Sequence, residues 1–473
     1  MVFSSALFLF GFLPIFFTVY FLINKKHKNN CILIFSFLFY QWGAPTFVYT
    51  VLIITFVDFY IVNQIHISVG RRRKLFLVIS LLLNIGLLSY FKYANFFIEN
   101  INEVLVVFGV KSVVWTKVIL PIGISFFAFE TLTYSIDVYR KVHKPLKNVL
   151  DYYTYILLFP KLIAGPIVRF HEIADQINDR SKEDTIDNKL LGFFRFVIGL
   201  SKKVLIANVM AKVADESFAI NDGTLSAFNA WVGIVAYSFQ IYFDFSGYSD
   251  MAIGLGRMMG FRFIENFNNP YTSTSITEFW RRWHMSLGRW MRDYLYIPLG
   301  GNQFSKSRMY LNLWIVFVVS GLWHGAAWNF IIWGAFHGLF LIADRIFLLK
   351  IYERIGKFPS ILITYIITLL GWVLFRANSL TDAIDYIKSM FSLENRNTEE
   401  YHSNYFYFML IIAFVFAFAA VSKNIEKAQL KFYEGNYSRV TFFWVSLLII
   451  SLLLISLSFV LSSDFNPFIY FRF

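Results

Sequence analysis

Runs of about twenty apolar residues, separated by short polar loops, recur from end to end of this chain, and that is the length a helix needs to cross a bilayer core. The first runs from Phe3 to Ile23 and is followed by NKKHKNN. The next, Cys31 to Val62, is interrupted by QWGAP and reads as a hairpin of two segments that exits into GRRRK. Spans are predicted at Leu75 to Phe91 and Val118 to Ile136, the latter ending in the basic YRKVHKPLK. Leu150 to Phe170 is apolar but carries Pro160, Lys161, Gly165 and Pro166, which break helices, so a re-entrant segment is expected there. Further spans are predicted at Leu191 to Val209, Ala230 to Gly247, Leu313 to Leu322, Phe330 to Phe347, Ile361 to Phe375, Tyr405 to Val421 and Phe442 to Leu461. Ser379 to Asn404 reads as a long polar loop. No repeat and no separate soluble domain is evident. The expectation is an all-α, polytopic membrane protein, residues 1–473 forming a single membrane-embedded domain of roughly ten or more transmembrane or re-entrant helices.

Composition supports this class and charge adds an orientation. The chain is 57% hydrophobic and 20% aromatic but only 15% charged, well below the roughly 25% of a soluble protein. A net charge of +13 would suggest nucleic acid in a soluble domain. Here the basic residues sit in short loops between apolar segments, which argues for no nucleic-acid partner and places those loops in the cytoplasm. The chain is therefore expected in the cytoplasmic (inner) membrane with an extracytoplasmic N-terminus. Its opening lacks a basic n-region and a small-residue cleavage signal, so the first span is read as retained. A lone cysteine, Cys31, excludes an intrachain disulfide and a cysteine-based metal site.

Two stretches carry candidate chemistry. In TSITEFWRRWHMSLGRWMRDYLYIPLGGN, residues Trp280, Trp283, Leu287, Trp290 and Tyr294 recur at helical spacing as one aromatic face. Arg281, Arg282, Arg289, Arg292 and His284 lie around it. An interfacial amphipathic helix explains the pattern; so does a basic surface for a phosphate-rich ligand, and the two readings are compatible. The second stretch, Tyr310 to Phe347, is too long for one span: as a single helix it would rise about 57 Å, against a hydrocarbon core of about 30 Å. The glycines of GLWHGAAW are the expected break, with His324 at the junction. His337, about 220° further round a continuous helix, does not share its face and is read as a packing residue. Ionisable groups within membranes are disfavoured unless they serve a purpose, so His324 is the leading candidate for chemistry. Asp244, Asp250 and Glu130 are further intramembrane acids that could orient a histidine, line a tunnel or pair with arginines. No metal-ligand spacing, nucleophile elbow, Walker loop or Rossmann fingerprint is present. A histidine without a protein nucleophile points to general-base chemistry on a bound hydroxyl or thiol. Broken helices and buried acids also suit a secondary transporter, but repeat symmetry is missing.

At these residues the chain resembles the membrane-bound O-acyltransferase superfamily. EFWRRWHMSLGRWMRDYLYIPLGGN followed by GLWHGAAWNFIIWGAFHG is similar to its bacterial alginate O-acetyltransferase branch. FPKLIAGPIVRFHEI, FDFSGYSDMAIGLGRMMGFRFIENFNNPY and WVLFRAN extend the likeness over nearly the whole chain. The resemblance implies helices around a central funnel or tunnel, His324 as catalytic base and His284 as the second signature histidine. It also implies a cytoplasmic thioester donor, acetyl-CoA, with no tightly bound cofactor and no metal, docking at Arg281, Arg282 and Arg289. Asp244, Asp250, Trp323 and Asn329 are expected along the tunnel. A separate extracytoplasmic SGNH-type acetyltransferase is the expected partner, modifying an exopolysaccharide or peptidoglycan. The sister branch, which exports D-alanine for teichoic acid from a carrier-protein thioester, shares the WHMSL element.

Overall fold

The computed structural model describes residues 2–220, 224–394, 402–435, 437–463 and 465–468, and among them every regular element is a helix. Among the described residues, six helices are long and apolar enough to cross a membrane. Contacts divide the chain into two compact units.

The first unit comprises Leu7–Asp184 and Gly260–Phe263. Its helices are α1 (Leu7–Leu22), α2 (Lys28–Gly43), α3 (Phe47–Ile67), α4 (Gly70–Val107), α5 (Ile124–Tyr139), α6 (Val149–Leu157), α7 (Phe159–Leu162) and α8 (Phe170–Asn178). The basic GRRRK is not a loop but the first turn of α4. The span expected from Val118 is displaced: Pro121 has no N–H to donate and Gly123 adopts φ +81°, so the helix starts only at Ile124. The 150–170 stretch is interrupted as its proline and glycine content predicts, with α6 and α7 followed by irregular, buried backbone. Two buried acids of this unit are paired. Asp58 accepts hydrogen bonds from Ser80 Oγ (2.5 Å), Tyr152 OH (2.8 Å) and Asn84 Nδ2 (3.2 Å). Glu130 forms a buried ion pair with Lys161, so this acid is matched by the lysine of the broken segment rather than by an arginine.

The second unit comprises Val2–Ala6, Thr185–Met259 and Ile264–Phe473. It contains α9 (Ile186–Ser201), α10 (Asn208–Ala219), α11 (Ala227–Met258), α12 (Ile276–Arg282), α13 (Met285–Met291), α14 (Lys306–His324), α15 (Trp328–Ile355), α16 (Lys357–Arg376), α17 (Leu380–Met390), α18 (Asn404–Val421), α19 (Lys423–Glu434) and α20 (Arg439–Ser462). Two helix pairs are packed through glycine. On α9 and α11, Gly192 faces Gly254 and Gly199 faces Gly247. A methyl carbon added at Gly192 would lie 2.7 Å from the Gly254 carbonyl oxygen, and one at Gly247 2.7 Å from that of Gly199. Only bare backbone fits at these crossings. On α14 and α15, Gly321 and Gly334 play the same part, each against a carbonyl of the opposite helix. The loop expected from Ser379 contains α17, which is capped by Ser379 Oγ on the Asp382 N–H; residues 395–401 of that stretch lie outside the described residues.

Candidate active site

The aromatic helix expected over Thr274 to Asn302 is broken in the middle. Helix α12 is capped by Ser275, whose hydroxyl accepts the Glu278 N–H at 3.1 Å, and ends after Arg282. Trp283 is extended and His284 lies in the left-handed region, at φ 43° and ψ 53°. Helix α13 then starts afresh at Met285. The tryptophans therefore do not form one stripe, although their spacing continues across the break. A non-glycine residue in that conformation is disfavoured by about 1 kcal/mol, so its surroundings must hold it.

They do so through Asn266. Its side-chain oxygen accepts from Ser286 Oγ at 2.9 Å and from the Ser286 N–H at 3.3 Å, and lies 3.0 Å from His284 Nδ1. The Asn266 amide donates to Ser249 Oγ at 3.0 Å, and its backbone oxygen accepts the Met285 N–H at 2.9 Å. With the Asn266 oxygen as acceptor, Nδ1 of His284 carries the proton and Nε2 is its basic nitrogen. The ring stands perpendicular to that of Phe245, with centroids 4.7 Å apart. His284 is 1% exposed, and burial pushes its pKa down to about 3, so the imidazole is a neutral hydrogen-bonding ring rather than a charge.

His324 arrives from the other side. It is the last residue of α14, which ends where Gly325 is extended, and the chain resumes as α15 at Trp328. The break falls within GLWHGAAW, while Gly321 serves the helix contact rather than the turn. The His324 ring lies 6.5 Å from that of His284. Trp323 touches both histidines, at 6.1 Å and 4.9 Å, and Trp333 and Phe375 each pack edge to face on His324 at 5.2 Å. The C-terminal end of a helix favours positive charge, the sign an imidazole acquires on taking a proton. Two histidines about forty positions apart thus share one buried aromatic chamber, with none of the acidic or cysteine neighbours a metal would need: no such cluster occurs among the described residues.

His337 lies behind this chamber. It is fully buried, and Trp333 separates it from His324, packing on His337 at 5.2 Å while Trp280 does so at 5.1 Å. A methyl carbon at Gly371 would come within 2.5 Å of its Nε2.

Beside the Asn266 anchor lies a cavity of about 500 Å³, lined among others by Arg195, Lys202, Asp250, Asn266, Arg289 and Tyr433. Asp250 pairs with Arg195 at 2.6 Å and Lys202 at 2.7 Å; Arg195 also pairs with Glu265 and stacks its guanidinium 3.9 Å over the Tyr433 ring. Of the arginines singled out from the sequence, Arg289 lines this cavity. Arg282 is engaged with Glu278 (2.9 Å) and Glu426 (3.7 Å), and Arg281 is exposed. Asp244 is buried against Lys203 at 2.8 Å. Asn329 ties α15 to α16, donating to the carbonyls of Ala377 (2.9 Å) and Leu374 (3.4 Å). Asn266, Ser286, Arg195 and Lys202 carried no distinguishing pattern of their own. Asn266 lies within FIENFNNPY, and only the fold brings it under His284.

Comparison with known proteins agrees with this architecture. Residues 139–354 match the model of the membrane-bound O-acyltransferase family. The chain is 45% identical to the probable alginate O-acetylase AlgI of Pseudomonas aeruginosa, over 83% of this chain and 75% of the relative. It is 37% identical to the peptidoglycan O-acetyltransferase of Helicobacter pylori, over 83% and 80%. With the teichoic acid D-alanyltransferase of Bacillus subtilis it shares 31% identity over 48% of this chain and 59% of the relative. Multi-pass helices, the two buried histidines and these relationships lead to one conclusion: the chain belongs to the membrane-bound O-acyltransferase family and is an O-acyltransferase.

Proposed function

We propose that this enzyme takes an acetyl group from cytoplasmic acetyl-CoA and passes it across the inner membrane for O-acetylation of a cell-surface polysaccharide. The observation that carries the reading is the buried chamber in which His324 and His284 lie 6.5 Å apart, in a chain that resembles O-acetyltransferases over most of its length. His324 is the general base. It removes the proton of the acceptor hydroxyl as that oxygen attacks the thioester carbonyl; the carbon–sulfur bond breaks and the proton passes to the departing CoA sulfur. His284, neutral and fixed by Asn266 through Nδ1, accepts a hydrogen bond at Nε2 without adding charge. Of the cations lining the cavity, Arg195 and Lys202 are held by Asp250 and Glu265, which leaves Arg289 as the group proposed to meet a phosphate of the donor. A separate extracytoplasmic SGNH-type acetyltransferase is the proposed recipient, and the acceptor class is alginate-like exopolysaccharide or peptidoglycan.

The deciding experiment supplies purified, reconstituted protein with radiolabelled acetyl-CoA. Release of free CoA with transfer of label is expected. An intact thioester moved across the bilayer would mean transport, and activity only with a carrier-protein D-alanyl thioester would place the chain with the D-alanyl branch.

A further inference from the structure

The first unit holds a cleft of about 850 Å³ that shares no lining residue with the proposed acyl-transfer site. Its walls are the end of α3, the first turn of α4 and the 140–147 segment that follows α5, and its lining includes His66, Arg73, Lys141, His143, Lys144 and Lys147. The single carboxylate there, Asp175, is turned to His143 at 3.1 Å. Just outside, Arg71, Arg72 and Lys74 stand in the opening turn of α4, which has no acidic residue. Cations are disfavoured at a helix N-terminus, where the macrodipole is already positive. Among the described residues, none of Arg71, Arg72, Lys74, Lys141, Lys144 and Lys147 forms an ion pair, although other surface lysines such as Lys117 and Lys388 do.

The cleft is also built rather than loose. Arg73 donates to the carbonyls of Val138 (3.1 Å) and Tyr139 (2.5 Å), capping the end of α5, and its guanidinium lies 5.1 Å over the Tyr139 ring. Lys141 is held at φ 61°, a left-handed conformation rare for lysine, in the turn closed by the Val142 N–H on the Asp137 oxygen at 2.9 Å. Concentrated, uncompensated positive charge in a fixed concave wall calls for an anion with several acceptor oxygens. Its source follows from what stands alongside. Helices α3 and α4 are membrane-crossing by length and composition, and Ile67, Val69 and Leu75 at their junction are 69%, 83% and 57% exposed. An anion beside exposed apolar side chains at the end of two spans is the headgroup of a lipid whose acyl chains lie along them.

We propose that this cleft binds the phosphate of an anionic membrane phospholipid. The test uses the full-length protein in detergent, with bound lipid counted by native mass spectrometry during titration with dioleoyl phosphatidylglycerol or dioleoyl phosphatidylcholine. The wild type is expected to retain phosphatidylglycerol selectively. The variant Lys141→Gln/Lys144→Gln/Lys147→Gln should lose about tenfold or more in that affinity. A control with equal charge removed elsewhere, Lys25→Gln/Lys26→Gln/Lys350→Gln, should not, and Arg71→Glu/Arg72→Glu should abolish the preference. Equal losses in the two triple variants would reduce the effect to diffuse charge and overturn the site. So would a wild type indifferent to headgroup. If sodium pyrophosphate binds the wild type and phosphatidylglycerol does not, the occupant is a soluble phosphate and the lipid assignment is wrong.

Discussion

His284 is positioned less by its own helix than by one asparagine from a distant loop. Removing the Asn266 side chain would delete the acceptor that the Ser286 hydroxyl and the His284 ring share in a buried setting, and would release a backbone conformation that is unfavourable by itself. Asn266→Ala is therefore expected to lower kcat for CoA release by about 10-fold to 100-fold while the protein remains extractable and folded, as measured by size exclusion and thermal melting. His324→Ala should cost more, about 10²- to 10⁴-fold in kcat, the usual worth of a general base. A variant that kept full transfer would remove His324 from the role. At this scale the sequence was partly legible. Histidines in apolar surroundings announce themselves because burial is costly for them. Asn266 does not, since an asparagine beside Asn268, Asn269 and a proline reads as an ordinary turn.

At the scale of elements, glycine content in a segment too long for one span located the break between α14 and α15, because a length argument needs no tertiary information. The break between α12 and α13 was not legible. Tryptophan spacing runs through it undisturbed, and the cause, a histidine held left-handed by a loop elsewhere, is a tertiary contact. Helix α12 is only seven residues long and rests on its ends. Glu278 accepts from the Thr274 N–H and hydroxyl, both at 2.8 Å, and from Arg282 at 3.0 Å. Burial pushes its carboxyl upward, but those hydrogen bonds and the Arg282 charge outweigh it, so its pKa lies below the ordinary glutamate value. A depressed carboxylate contributes stability above its unfolded pKa, and that contribution is lost as pH falls. Glu278→Gln should thus lower Tm at pH 7, and the gap to wild type should narrow at pH 4. A gap that stayed constant would show that charge at Glu278 is immaterial.

For the whole molecule, apolar runs were enough to establish an all-α membrane protein, since the bilayer permits few alternatives. Pairing of a buried acid with an arginine was among the readings, but which cation each acid finds was not readable. Asp250 finds Arg195 and Lys202, and Glu130 finds Lys161, across distances that only folding closes. Because Arg289 at the cavity is proposed to meet a donor phosphate, KM for acetyl-CoA should rise about twofold between about 50 and 500 mM salt with little change in kcat. A flat KM would place the donor phosphates elsewhere. The reciprocal contacts of Gly192 with Gly254 and Gly199 with Gly247 have a further consequence. They form couples in which neither member can grow, because the obstacle is the partner's backbone and a smaller partner residue does not exist. A change at one therefore cannot be compensated at the other, and no two-step mutational route leads out. In a saturation scan scored by cell-surface acetylation, these four positions should be as intolerant as His324. They would mimic an active site while lying outside it, and protein abundance, lost at the glycines and kept at His324, would tell the two apart.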